Sequence, residues 1–171
     1  MLLRTVTRQN FAEAWPDIIC SVAESQVEVG KRLGIDSEVM YTQPYCHNVA
    51  PDAARRIKAL GWAAVTDTRR IPGIIYHEYL RFPGSGSGDD EIIADGTWGQ
   101  FVPTAHISGY EPRVLAGTRG HVRQSALQYG ISPSHAVLQC WLPVSEETAA
   151  ERLSDYFDPH DIAQLRAILD M

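Results

Sequence analysis

The segments IIYHEYLRF (residues 74–82) and EIIADGTW (residues 91–98) decide the fold that we predict for this chain. Both are rich in the Ile, Tyr and Phe residues that favour β-strands, and the residues between them, PGSGSGDD (83–90), have the composition of a polar turn. The sequence therefore predicts an antiparallel hairpin. Its long glycine-rich loop is a candidate lid over a site carried by the strands.

The register of this hairpin can be predicted from its charged and apolar residues. Pairing Arg81 with Glu91 places opposite charges across from each other, which stabilises a strand pair by about 0.2–1 kcal/mol. The same register places His77 opposite Asp95, within reach of a hydrogen bond, whereas a shift of one residue would turn them to opposite faces. The apolar pairs that it creates are Leu80 with Ile92 and Tyr79 with Ile93. We therefore predict a His–Asp dyad.

The residues outside the hairpin predict helices before it and mixed structure after it. Apolar residues recur at helical spacing between Phe11 and Leu33, although Pro16 is expected to break or kink this helix. A second helix is expected to begin at Pro51. The later elements are expected to be a helix near 119–129, a buried strand over 135–144, and helices from Ser145 and from Asp158. We predict one α+β domain over residues 1–171, with N-terminal helices packed on an antiparallel β-sheet.

The composition of the chain is that of an ordinary globular protein. Its 171 residues suit one domain, 44% of them are hydrophobic, and the formal net charge is −6. An acidic surface argues against nucleic-acid partners, since phosphate binding requires basic residues. No apolar run approaches the roughly 20 residues of a membrane span, and three cysteines without a CxxC pair do not indicate a disulfide framework. We therefore expect a cytoplasmic protein with neither nucleic-acid nor membrane partners.

A His–Asp dyad needs a group to activate. A thiol is the natural candidate, because an adjacent imidazolium stabilises the reactive thiolate. Cys20 lies in the apolar register of the first helix, and Cys140 lies in an apolar segment typical of an inert core cysteine. Cys46 lies in polar, turn-like surroundings, between QPY and HN, just before the second helix. By elimination, Cys46 is the candidate nucleophile.

One short motif and the order of these three residues carry a resemblance to known enzymes. The stretch DGTWGQF (residues 95–101) resembles the aspartate segment of papain-like-fold toxin and deamidase domains and of transglutaminase-like proteins. The order Cys46, His77, Asp95 is similar to that of the same superfamily, which includes the arylamine N-acetyltransferases. The likeness covers about residues 41–101. It implies a papain-like or transglutaminase-like core.

The resemblance also implies a chemistry. Cys46 would be the nucleophile, His77 the general base and acid, and Asp95 the group that orients the imidazole. A thioester would form from a peptide, a protein side-chain amide or a small-molecule amide or acyl donor, and neither a cofactor nor a metal is expected. The N–H of the cysteine and a glutamine side chain would hold the oxyanion, with Gln43 and Gln100 as the candidates.

Four further residues are candidates for contacting a substrate. Arg119 and Arg123, in the segment GTRGHVR (117–123), could hold a carboxylate or phosphate in bidentate pairs, or could belong to a solvated helix start. Trp98 could form a wall of the pocket or part of the core. His106 could border the site or be incidental.

Two other kinds of function remain open from the sequence. Cys46, His47, His77 and Glu78 are residue types that zinc accepts, although His77 and Glu78 point to opposite faces of a strand. The acidic charge and the loop-rich second half also suit a non-catalytic binding or immunity-type protein. Chelator sensitivity would favour a metal enzyme, and inactivation by iodoacetamide would favour a cysteine nucleophile. A thiol of ordinary reactivity would favour a binding protein.

Overall fold

A four-stranded antiparallel sheet lies at the centre of the fold. In the computed structural model, which describes residues 2–71, 74–109 and 111–143, the strands follow one another across the sheet in chain order. The elements are α1 (Phe11–Leu33), α2 (Cys46–Ala59), β1 (Val65–Ile71), β2 (Ile74–Arg81), β3 (Ile92–Asp95), β4 (Leu115–Thr118), α3 (Arg119–Gln128) and the short α4 (Val137–Cys140). This arrangement of N-terminal helices on an antiparallel sheet confirms the predicted α+β class.

Both faces of the sheet are buried, by different layers. Helices α1 and α2 cover one face, while α3 and the segment around α4 cover the other. The sheet residues on the side of α1 and α2 include Leu80, Ile92, Ala94 and Ala116, and those on the side of α3 include Tyr79, Ile93 and Leu115. All four residues of β3 are accordingly buried. A polar group on β2 or β3 therefore needs a partner within the protein.

The β2–β3 pair is shifted by two residues from the predicted register. Leu80 pairs with Ala94 and not with Ile92, and the neighbouring pair shifts by the same amount. The loop between the strands accounts for the shift, because the buried Ser85 hydroxyl accepts a hydrogen bond from the backbone N of Ile92 at 2.8 Å. The predicted pairs are therefore wrong. Since strand side chains alternate between faces, a shift of two leaves each of them on its predicted face.

Both long helices run through a proline at their sixth residue. Helix α1 continues through Pro16, and α2 begins at Cys46, five residues before its predicted start at Pro51. A proline lacks the N–H that would bond the carbonyl four residues earlier. Here those carbonyls belong to the exposed residues Ala12 and His47, where water can replace the lost donor. The expected break and the expected start are therefore wrong, and Cys46 lies in the first turn of a helix.

The fourth strand comes from a segment that the sequence pattern assigned to loops. Strand β4 pairs with β3 over its whole length, but its sequence, LAGT, is too short to show strand periodicity. The strand predicted over 135–144 is wrong within the described residues, because Val137–Cys140 is a short helix with Val137 and Cys140 buried. The helices predicted from Ser145 and Asp158 lie outside the described residues.

Helix α1 is the longest in the described part of the chain, with 23 residues. It buries Ile18, Val22 and Val29 against the sheet and carries charged residues elsewhere along its length. Within residues 2–71, 74–109 and 111–143, no helix combines the length and the apolar character needed to cross a membrane.

Candidate active site

His77 and Asp95 form a buried, hydrogen-bonded pair. His77 Nε2 and Asp95 Oδ2 are 2.5 Å apart, and both side chains are fully shielded from solvent. If the observed register of β2 and β3 is extended by one residue, the position opposite Asp95 is two residues away from His77 along β2. The contact is therefore diagonal, and it forms because both residues lie on the same face of the sheet. The structure brings the two residues of the predicted dyad together, but through a different register.

Asp95 is held in one orientation by further donors. The backbone N and the hydroxyl of Thr97 donate to Oδ1 at 2.9 and 3.4 Å. Trp141 Nε1 donates to Oδ2 at 3.1 Å, on the same oxygen that binds His77. Trp141 was not among the residues predicted for the site. It lies 46 positions beyond Asp95, and no local pattern in the sequence connects the two.

The pair changes the protonation of His77. Burial by itself lowers the pKa of an imidazole, but the negative charge of Asp95 and the hydrogen bond to it outweigh the burial. Cys46 contributes in the same direction as Asp95, and the pKa of His77 is raised to about 9. The imidazole is therefore protonated at neutral pH. Phe101 packs edge-on against the ring, with centroids 4.8 Å apart at 87°, and limits its rotation.

Cys46 reaches the dyad because β3 is short. Strand β3 ends at Asp95, so its pairing with β2 covers only the last part of β2. The first turn of α2 lies beside the remaining part, where Cys46 Sγ is 3.9 Å from the carbonyl oxygen of Tyr76. Cys46 is only 2% exposed. The thiol is close enough to the imidazole to raise the pKa of His77.

The second ring nitrogen of His77, Nδ1, is not used by Asp95. His77 Nδ1 is buried and has no hydrogen-bond partner among the described residues. Leaving a buried polar atom unsatisfied costs roughly 1–3 kcal/mol, so such atoms are uncommon away from functional sites. With Nε2 committed to Asp95, Nδ1 is the atom through which His77 can exchange a proton with Cys46.

The two candidate oxyanion glutamines use their amide groups elsewhere. Gln43 Nε2 donates to the Thr42 hydroxyl at 3.1 Å. Gln100 Nε2 donates to the carbonyl oxygen of Thr97 at 2.9 Å, which stabilises the turn after Asp95. In the described structure neither amide hydrogen-bonds to Cys46.

Arg119 and Arg123 form ion pairs and hydrogen bonds within the protein. Arg119 is 1% exposed, and its guanidinium donates to Glu91 at 2.8 Å and to the Tyr79 hydroxyl at 3.0 Å, with longer bonds to backbone carbonyls. Arg123 forms a bidentate pair with Asp89 at 2.8 and 2.9 Å. Neither guanidinium is directed at the dyad, and Arg119 is also inaccessible to a substrate.

Trp98 and His106 also lie apart from the dyad. Trp98 is fully buried, donates from Nε1 to the carbonyl oxygen of Pro112 at 3.0 Å, and packs between Tyr41 and Tyr129. It is a core residue in this structure. His106 is exposed and packs against Gly130, whose lack of a side chain makes room for the imidazole.

The loop 83–90 does not cover the dyad. It joins the end of β2 to the start of β3, whereas His77 lies four residues back from the end of β2, about 13 Å away at the usual rise of a strand. Asp89 and Asp90 tie the loop down through Arg123 and Arg8. In the described structure the candidate lid is therefore a plain hairpin loop away from the dyad.

The residues of the metal alternative do not converge. Among the described residues, no three His, Cys, Asp or Glu side chains are grouped as metal ligands would be. Glu78 lies on the opposite face of β2 from His77. Its burial raises its pKa, and a hydrogen bond to Thr66 and the charges of His47 and His77 partly offset this rise. His47 is exposed, with Nδ1 3.7 Å from Cys46 Sγ. The thiol therefore has two histidine neighbours, one buried and one exposed.

Comparisons of the chain with protein-family models, with curated proteins and with solved structures find no match. The function is therefore inferred from the site itself. Its defining features are a helix-terminal thiol, a buried imidazole and a buried carboxylate.

Proposed function

We propose that the protein is a cysteine-dependent amide hydrolase or acyltransferase that works through a thioester on Cys46. The observation that carries this proposal is the state of His77, whose Nε2 is bound to Asp95 at 2.5 Å while its buried Nδ1 is unpaired beside the thiol. A histidine in a structural role has no need of an unsatisfied buried nitrogen. A histidine that transfers protons to and from a nucleophile does.

The charge state of the pair suits this chemistry. The raised pKa of His77 keeps the imidazole protonated at neutral pH, and an imidazolium stabilises a thiolate next to it. Cys46 is also the first residue of α2, where the free N–H groups and the helix dipole favour negative charge. We infer that the reactive form is a thiolate–imidazolium pair, with Asp95 holding the ring.

The reaction proceeds in two stages. Cys46 Sγ attacks the carbonyl carbon, a C–S bond forms, and the electron pair of the C=O bond moves to the oxygen. As the intermediate collapses, the C–N bond breaks and His77 Nδ1 gives its proton to the leaving amine. Water or an amine then attacks the thioester and gives a proton back to Nδ1. The C–S bond breaks and the thiolate is restored.

The sequence resemblance supports the same proposal. The order Cys46, His77, Asp95 and the motif after Asp95 are similar to those of papain-like and transglutaminase-like enzymes, and we propose a related core. Substrates would be a peptide, a protein side-chain amide or a small-molecule amide or acyl donor. A reducing cytoplasmic setting is proposed on the cysteine pattern. Fold and triad together do not select among these substrates.

Acylation by p-nitrophenyl acetate tests the proposal without a known substrate. The wild-type protein is expected to release a burst of p-nitrophenolate stoichiometric with protein, and mass spectrometry is expected to find the acetyl group on the peptide containing Cys46. Cys46→Ala should remove the burst and keep the circular dichroism spectrum. Cys20→Ser is the matched control, because Cys20 is an exposed thiol on α1, and it should retain the burst.

Alkylation by iodoacetamide provides a second reading of the same thiol. At a pH near 6 Cys46 should react faster than Cys20, although Cys46 is buried and Cys20 is exposed. If Cys46 is neither acylated nor alkylated faster than Cys20, its burial is that of an ordinary core cysteine. A non-catalytic binding or immunity-type role would then be the better proposal.

A further inference from the structure

We propose that His47 completes the oxyanion hole, so that its imidazole N–H stabilises the negative oxygen that forms when Cys46 attacks a carbonyl. This inference rests on the proposed function and assigns the group that the two glutamines leave unassigned. It gives the two histidines beside the thiol different tasks. His77 transfers protons on the buried side, and His47 binds the developing charge on the exposed side.

The position of His47 is the first argument. It follows Cys46 in the first turn of α2, and its side chain is exposed whereas Cys46 is 2% exposed and His77 is fully buried. A carbonyl group that approaches Sγ from solvent therefore passes the His47 side chain. On the buried side the thiol lies next to His77, whose ring is in turn held by Phe101 and Asp95.

The distance is the second argument. His47 Nδ1 is 3.7 Å from Cys46 Sγ. The oxyanion is bonded to the carbon that Sγ attacks, so it lies two covalent bonds from the sulfur. A donor at this distance from Sγ can lie within the roughly 2.7–3.1 Å of that oxygen that oxyanion donors require.

The supply of other donors is the third argument. The Gln43 amide is committed to Thr42, and the Gln100 amide to the carbonyl of Thr97. In the described part of the chain, the backbone N–H groups of Cys46 and His47 make no hydrogen bond, as is usual in the first turn of a helix. These N–H groups belong to the thiol-bearing residue and its neighbour, and the His47 imidazole contacts Sγ itself. Together they form a donor set of the kind that oxyanion holes use.

The surrounding charge supports a donor role for His47. Glu78 is close enough for the charge of His47 to lower the Glu78 pKa, against the stronger effect of burial. Asp95, in contrast, is hydrogen-bonded to His77. The charge of His77 also lowers the Glu78 pKa, so Glu78 lies near both histidines, whereas only His77 is hydrogen-bonded to Asp95.

Two electrophiles distinguish an oxyanion donor from a group that activates the thiol. Acylation by p-nitrophenyl acetate creates an oxyanion, whereas alkylation by iodoacetamide displaces iodide and creates none. His47→Ala is expected to lower the acylation rate about 10²–10³-fold, in line with the loss of one oxyanion donor. The iodoacetamide rate of the same variant at the same pH should fall by a much smaller factor, because alkylation loses only the contact between His47 Nδ1 and Sγ. His47→Gln restores an N–H donor and should recover part of the acylation rate.

Each other outcome overturns the inference. A parallel fall of both rates in His47→Ala would show that His47 acts on the thiol, and unchanged acylation would show that it has no role. Recovery in neither His47→Gln nor His47→Asn would indicate a proton-transfer role for the imidazole. The exposed His121, on α3, is a matched control, and His121→Ala should change neither rate. Failure of the proposed function is recognised separately, because Cys46→Ala would then be acylated as fast as wild type.

Discussion

His77 Nε2 and Asp95 Oδ2 lie 2.5 Å apart although the two residues are not opposite each other in the β2–β3 pair. The diagonal contact exists because both side chains point to the same face of the sheet, the face that α3 and Trp141 cover. Burial removes water from both groups, so each depends on the other for its polar interactions. The predictions below follow from this pair and from the residues that hold it.

Asp95→Asn tests the charge of the pair. The substitution keeps the size of the side chain but removes the charge that raises the pKa of His77. We expect the pKa of His77 to fall well below about 9, because burial is then opposed only by the smaller contribution of Cys46. The acylation rate should fall by about 10²-fold or more, since the imidazole also loses its orientation. NMR titration of the imidazole and the p-nitrophenyl acetate assay would measure the two effects, and an unchanged pKa would contradict the assignment.

Trp141→Phe tests the hydrogen bond that Trp141 donates to Asp95. The variant keeps an aromatic ring but loses the Nε1 donor to Asp95 Oδ2, which is 3.1 Å away. We expect a loss of about 1–2 kcal/mol in the free energy of unfolding and a several-fold fall in acylation rate.

Trp62→Phe is the matched control for this variant. Trp62 is also buried and donates from Nε1 to an aspartate, Asp17, at 2.7 Å, but it lies on the other side of the sheet. It should lower stability by a similar amount and leave the acylation rate of the folded protein unchanged. Equal loss of acylation in both variants would indicate that Trp141 acts only through stability.

The stability of the protein should depend on pH through His77. Its pKa is raised from 6.5 to about 9 on folding, so the folded state binds the proton more tightly than the unfolded state. The stabilisation is therefore fully present below about pH 6.5 and is lost as the pH rises through about 9, with a magnitude on the order of 3 kcal/mol. Urea unfolding between pH 6 and 10 would measure it. Asp95→Asn should remove most of this dependence, and a wild-type stability that rises over the same interval would contradict the prediction.

Arg119 and Arg123 should differ in stability but not in acylation. Arg119→Met removes a buried cation from Glu91 and the Tyr79 hydroxyl, and breaking such a pair costs about 3–5 kcal/mol. Arg123→Ala removes a partly exposed pair with Asp89, which costs about 0–1 kcal/mol. Thermal unfolding gives the stabilities. If the folded Arg123→Ala protein were acylated more slowly without a matching loss of stability, Arg123 would again be a candidate substrate contact.

Much of the fold could be predicted from local pattern. Strand β2 and the helical segment before it have enough consecutive residues to show their character, and the polar turn after β2 indicates that a second strand follows. Strand β4 has only four residues, and its place in the sheet depends on pairing with β3. The strand predicted over 135–144 failed for the opposite reason, because a run of apolar residues also suits a short buried helix. Periodicity alone does not separate these two cases.

The candidate site also has parts that the sequence could predict and parts that it could not. The same-face placement of His77 and Asp95 follows from the alternation of side chains along a strand, and a register error of two residues does not change it. The position of Cys46 depends on where α2 begins, and Pro51 predicted that start five residues too late. Trp141 could not be assigned to the site in advance, because its hydrogen bond to Asp95 depends on long-range packing.

By itself, the sequence determined that a histidine and an aspartate share one face of a hairpin, because side-chain direction in a strand is set by parity over a few residues. Only the tertiary structure decided that the thiol of Cys46 joins them, that His77 Nδ1 is left unpaired, and that the arginines are structural. These outcomes depend on the length of β3 and on layers that meet from distant parts of the chain. Such contacts result from the packing of whole elements, whereas local sequence specifies the elements one at a time.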